Sequence, residues 1–179
     1  MTTPAAVLAF WRDAGPAKWF AKDDAFDAAI RARFADLHHA AAAGALRDWE
    51  ETAEGALALV IVLDQFPRNM YRGRPQAFAT DALARAVADR AIARGFADSI
   101  PLPERRFVFM PFMHSEDLAD QQRCLDLCRA AGDDEGVYYA DLHLDIIRRF
   151  GRFPHRNVIL GRSTTPEEQA FLDSGGFAG

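Results

Sequence analysis

Thr52-Ala53-Glu54-Gly55-Ala56-Leu57-Ala58-Leu59-Val60-Ile61-Val62-Leu63-Asp64-Gln65-Phe66-Pro67-Arg68-Asn69 is the stretch that decides the fold class. Thr52 has the side chain of a helix N-cap. From Ala56 to Leu63 every residue is apolar, so a helix here has no solvent face and must be buried on all sides. Val and Ile favour strands, but Ala and Leu interleave with them, polar and apolar residues do not alternate, and no second stretch offers a partner strand. The segment therefore reads as a central helix over about 53–66, and the chain as all-α.

On either side of this stretch, prolines and glycines punctuate further helices. Thr3-Pro4 opens a helix through Asp13 that Gly15-Pro16 closes. Asp23 or Asp24 opens a second, in which Phe26, Ile30, Phe34, Leu37 and Ala41 recur at helical spacing until Gly44. After the central helix, a fourth follows Thr80 and ends at Gly95. A fifth begins near Pro103-Glu104 and reaches Met113, with Pro111 kinking or ending it by removing a donor. Ser115 caps a sixth that ends at Gly132, and a seventh covers about 135–150 before Gly151. Thr165-Pro166-Glu167-Glu168 is a capping box for a short last helix. The expected architecture is an antiparallel helix stack of seven main helices plus that short one.

The chain has 179 residues, half of them apolar and 26% charged, which suffices for one domain over 1–179 with its own core. A net charge of -5 gives no bulk attraction to nucleic acid or anionic membranes. The longest apolar run, Ala56 to Leu63, is too short to cross a bilayer, and the N-terminus does not read as a signal peptide, so a cytoplasmic protein is expected. Cys124 and Cys128 fall on one helix face and read as small core residues, without C-x-x-C metal spacing.

Consecutive helices joined by short connections pack antiparallel, so the chain alternates between two ends of the stack. That alternation brings segments 66–72, 110–117 and 150–157 to one end, together with Trp11, Trp19 and Phe20. Two of these segments resemble each other: Phe66-Pro67-Arg68-Asn69 and Phe153-Pro154-His155-Arg156-Asn157. The expected polar cluster contains Asp64, Gln65, Arg68, Asn69, Arg72, His114, Glu116, Arg152, His155, Arg156 and Asn157, ringed by Trp11, Trp19, Phe20 and Phe112. His143 lies two turns lower on its helix and faces inward. His38 and His39 read as exposed residues on a separate helix surface.

Val7-Leu8-Ala9-Phe10-Trp11, Trp19-Phe20, Leu63-Asp64-Gln65-Phe66-Pro67-Arg68-Asn69, Met110-Pro111-Phe112-Met113-His114-Ser115-Glu116 and Arg149-Phe150-Gly151-Arg152-Phe153-Pro154-His155-Arg156-Asn157 resemble the signature blocks of the bacterial domain-of-unknown-function family 924. The similarity spans nearly the whole chain. It implies a tetratricopeptide-like right-handed stack of helices and brings no activity with it.

Three readings of the cluster stay open. In the first, an internal Asp-Arg-Asn network caps helix ends: Asp64 near a helix C-terminus needs a cation, and Arg68, Arg72, Arg152 and Arg156 supply candidates. In the second, those arginines and Trp11 and Trp19 hold a small anionic molecule or a peptide. In the third, His114, Glu116, His143, His155 and Asp64 act as general acid and base or as metal ligands in a hydrolase-type enzyme. No H-E-x-x-H, G-x-S-x-G or Gly-rich phosphate loop appears, so no cofactor or dedicated metal site is assigned. A binding module is the working expectation, with the enzyme as its alternative.

Overall fold

The computed structural model describes residues 2–177, and all regular structure among them is helical, with no β-strand. The helices are α1 (Pro4–Ala14), α2 (Pro16–Trp19), α3 (Asp24–Ala42), α4 (Ala53–Val60), α5 (Phe66–Met70), α6 (Asp81–Ala93), α7 (Phe96–Ser99), α8 (Arg105–Met113), α9 (Leu118–Ala130), α10 (Asp134–Phe150) and α11 (Pro166–Asp173). A π-helical turn, Ile61–Gln65, joins α4 to α5, and 3-10 turns occupy Arg47–Glu51, Pro75–Phe78 and Pro154–Arg156.

Local chemistry sets the starts of these helices. The side chains of Thr3, Asp23, Thr52, Asp117 and Asp133 each accept an N–H from the first turn that follows, satisfying donors the helix itself leaves open. Thr165 and Glu168 complete a reciprocal capping box at α11. One start differs from expectation. Asp117, not Ser115, caps α9; the Ser115 hydroxyl donates instead to Asp120 at 2.6 Å and accepts the Asp117 N–H. Pro111 lies inside α8, which continues two residues beyond it.

The chain forms two compact units, one made of residues up to 72 with 76–111, the other of 73–75 with 112 onward. In the first, α4 is buried from Gly55 to Val60 and packs on α1 and α6, while the π turn and α5 lie against α3. Its aromatic core is built on Phe66, with Phe34 stacked at 4.9 Å and Trp11 at 5.8 Å between centroids. In the second unit α9 and α10 pack against each other, with both cysteines fully buried on α9. Ile146, Ile147 and Phe153 form a small core there, covered by Phe150, Phe171 and Phe177.

The central helix departs from α-geometry at the residues that end the apolar run. Phe66 N–H reaches back five residues to the Ile61 carbonyl, and Pro67 has no N–H to give. Three carbonyls of this turn accept from side chains. Val62 accepts from His38 Nδ1 at 3.1 Å, Leu63 from the Thr80 hydroxyl at 2.6 Å, and Asp64 from Arg68 Nη1 at 2.7 Å. His38 is therefore buried and bonded to the central helix, contrary to the exposed position expected for it. A carbonyl only accepts, so its Nδ1 carries the proton, and burial holds its pKa below the ordinary value despite that bond.

Candidate functional site

In the first unit the π turn places Asp64 and Gln65 side by side and fully inside. Gln65 Nε2 donates to Asp64 Oδ2 at 2.6 Å, and Arg68 Nη1 contacts Asp64 Oδ1 at 3.3 Å. Arg68 then forks onto Asp81, with Nη1 and Nη2 at 2.9 and 3.0 Å from its two oxygens. Burial opposes the guanidinium charge, but Asp64 and Asp81 outweigh it and raise the Arg68 pKa. One turn on, Arg72 bonds both oxygens of Asp27, and Asn69 Nδ2 donates to Asp27 Oδ1 at 2.8 Å. Trp11 is fully buried and stacks on Trp19 at 6.0 Å, while Trp19 Nε1 donates to the Trp11 carbonyl at 2.7 Å. Both indoles are core.

The second unit repeats this chemistry. Arg152 Nε and Nη2 bond the two oxygens of Glu168 at 2.6 and 2.8 Å, and Asn157 Nδ2 donates to the same carboxylate at 3.1 Å. Arg152 above all holds the Glu168 pKa down, to about 2. Asn157 Oδ1 accepts from Arg162 Nε at 3.0 Å, and Arg162 forks onto Glu116 at 2.7 and 3.0 Å. Glu116 Oε1 also accepts the Phe153 N–H at 2.8 Å. Burial works against its charge, but the Arg162 and Phe153 bonds hold its pKa below the usual value. The resemblance between the two Phe-Pro segments thus has a physical content. In each, the asparagine donates to a buried carboxylate that an arginine just outside the segment, Arg72 or Arg152, also bonds.

A different environment lies beside this lattice, around the imidazoles of His143 and His155. His143 Nδ1–H donates to the Tyr139 carbonyl at 2.7 Å, which leaves Nε2 as its acceptor. Its ring meets Phe153 at 5.6 Å and Phe177 at 4.5 Å. His155 meets the same two rings, at 5.6 and 5.9 Å, and its buried Nδ1 has no hydrogen-bond partner among the described residues. The Arg156 guanidinium lies over Phe153 at 4.5 Å and donates to the His114 carbonyl at 3.0 Å. Burial above all pushes both imidazole pKa values down to about 4, with the positive charge of Arg156 adding to the shift at each ring, against the Tyr139 bond at His143 and the Glu116 charge at His155. Both rings are neutral at pH 7.

The expected site residues therefore fall into networks within each unit: Asp64, Gln65, Arg68, Asn69, Arg72, Trp11 and Trp19 in the first, and His114, Glu116, His143, Arg152, His155, Arg156 and Asn157 in the second. Sequence reasoning missed the partners Asp27, Asp81, Arg162 and Glu168, together with Thr80 and Phe177. Glu168 alone carried a signal, as the last residue of the capping box. Among the described residues, no group of three or more His, Cys, Asp or Glu side chains is placed to hold a metal ion, and no helix is long and apolar enough to cross a membrane.

Residues 7–176 match the profile of a family described as bacterial protein of unknown function, DUF924. A solved protein of unknown function from Agrobacterium tumefaciens is 50% identical, with 96% of this chain and 97% of that one covered at a TM-score of 0.93. No curated protein matches.

Proposed function

We propose, for a chain that belongs to the bacterial family of unknown function DUF924, that it is a tetratricopeptide-like binding module whose second unit holds a small anionic ligand at His143, His155 and Arg156. The buried Nδ1 of His155, which has no hydrogen-bond partner among the described residues, carries this reading. Buried polar atoms in folded proteins almost always have a partner, and those that do not call for an explanation. The positive field that helps keep a second proton off both imidazoles also favours an anion beside them.

Arg68, Arg72, Arg152 and Arg162 each bond a carboxylate within their own unit, so their charge serves helix ends and loops. Glu116, a candidate acid or base, has both oxygens engaged by Arg162 and the Phe153 N–H. Its work is structural. The net charge of -5 argues against nucleic acid as the partner and fits a cytoplasmic role with a small solute.

Calorimetric titration of inorganic phosphate and of acetate at pH 6 tests the assignment. The wild type is expected to bind, and His155→Phe to weaken binding about tenfold or more while melting within a few degrees of wild type. No binding to wild type, or equal binding to the variant, contradicts it.

A further inference from the structure

The second unit places a phenyl ring of its own against the two neutral imidazoles. After α11 the chain turns at Gly175, whose φ of +77° lies in the left-handed region. Gly176 N–H then donates to the Phe171 carbonyl at 3.0 Å. A Cβ on Gly176 would lie 2.6 Å from both the Phe171 ring and that carbonyl, so the segment passes here only because the side chain is missing. This path sets Phe177 edge-on to His143 at 4.5 Å and to His155 at 5.9 Å. Phe153 also meets both imidazoles, at 5.6 Å from each.

Two imidazoles and two phenyl rings thus line one place. Phe153 is fully buried in its core, whereas Phe177 is only half-buried and rides on a glycine turn. The hydrocarbon ring contacts His155 but offers its orphaned Nδ1 nothing to bond. An aromatic acid would offer both, an aryl ring for the position that Phe177 holds and an oxygen for the nitrogen. Resting on the binding reading above, we infer that the Phe177 ring occupies an aryl position from within the chain, and that the ligand of this cluster is an aromatic carboxylate that displaces Phe177. An internal occupant lowers apparent affinity by the fraction of molecules in which the position is open, so removing it strengthens binding of the ligand that uses the same position. A ligand without a ring gains little.

Phenylacetate, acetate and toluene, titrated into wild type and Phe177→Ala, separate the cases. Phe177→Ala is expected to bind phenylacetate about tenfold more tightly than wild type, with acetate affinity changed less than about twofold. His155→Phe in the Phe177→Ala background is expected to reverse the gain. Unchanged phenylacetate affinity while acetate still binds overturns the aryl position and leaves the anion site standing. A toluene gain as large as that of phenylacetate also overturns it, because a bare apolar cavity would do the same. If acetate binds neither protein, the anion reading falls and the aryl position falls with it.

Discussion

Asn157 donates its side-chain amide to Glu168 at 3.1 Å, the same use that the first unit makes of Asn69 against Asp27 at 2.8 Å. In both places an arginine forks onto the same carboxylate, Arg152 on Glu168 and Arg72 on Asp27. A buried carboxylate is tolerable when its oxygens are bonded and its charge is paired. The two Phe-Pro segments are local devices for meeting that condition.

Asn157→Ala and Asn69→Ala are each expected to destabilise by roughly 1.5–3 kcal/mol, the range for a lost hydrogen bond to a charged group. Asn157→Asp is expected to cost more than Asn157→Ala, since it sets a carboxylate against Glu168. Urea unfolding of the three variants checks the order. Equal stability of Asn157→Asp and wild type would remove the pinning role.

Arg68 sits between Asp64 and Asp81, both buried, so Arg68→Ala leaves two carboxylates without the cation that bridges them. A loss of roughly 3 kcal/mol is expected, seen as a lower Tm. Adding Asp81→Asn to Arg68→Ala is expected to recover part of it, because neighbours in one ion-pair network are not additive. An unchanged Tm in Arg68→Ala would instead mark that side chain as waiting for a ligand.

Thr80 carries the bond that Pro67 denies to the Leu63 carbonyl. Thr80→Val keeps the shape and removes the donor, at an expected cost of roughly 1–3 kcal/mol for a buried carbonyl left unpaired. Thr80→Ser is expected to retain most of the stability. Thermal melts of the pair distinguish a hydrogen-bonding role from simple packing.

Much of the helical framework is written in local signals: Thr3-Pro4, Asp23, Thr52, Thr165 with Glu168, and glycines after α6, α9 and α10 all lie at helix ends. The π turn was not legible. Periodicity reports where a helix changes register only if polar residues mark a face, and 56–63 has none. Ser115 and Asp117 are both capping types, and only the second directly precedes the first helical residue. His38 looked exposed because it adjoins His39, yet it shares the buried face of Ile30, Phe34 and Ala41. The arginine partners Asp27, Asp81 and Glu168 could not be named because pairing across 45, 13 and 16 residues is set by packing, not by spacing. The spacing of His143 sets it on the inward face of its helix, where it is buried with its partner, the Tyr139 carbonyl, one helical turn back.

Stability is expected to fall as pH drops from about 6.5 toward 4. His143 and His155 have folded pKa values of about 4 against an ordinary 6.5, so the unfolded chain takes up protons that the folded chain refuses. The charged and titratable groups around them are His114, Glu116, Arg156 and Arg162. The stability these neutral imidazoles permit is complete above their unfolded pKa and is lost below it, by up to roughly 3 kcal/mol each near pH 4. His38 acts in the same direction. Glu116 and Glu168, both lowered, add a further loss below about their ordinary 4.5. Melting curves of wild type and His143→Gln between pH 7 and 4.5 check this: the variant is expected to show the shallower dependence, and parallel curves would refute it.

The anion site is tested most directly by following the imidazole proton resonances of His143 and His155 through a pH titration, with and without saturating inorganic phosphate. Assignments come from the His143→Gln and His155→Gln variants. A bound anion favours the protonated ring, so both pKa values are expected to rise by about one unit or more when phosphate is present. Titration curves that superimpose with and without phosphate would show that no anion binds beside these histidines, and the proposed function would be wrong.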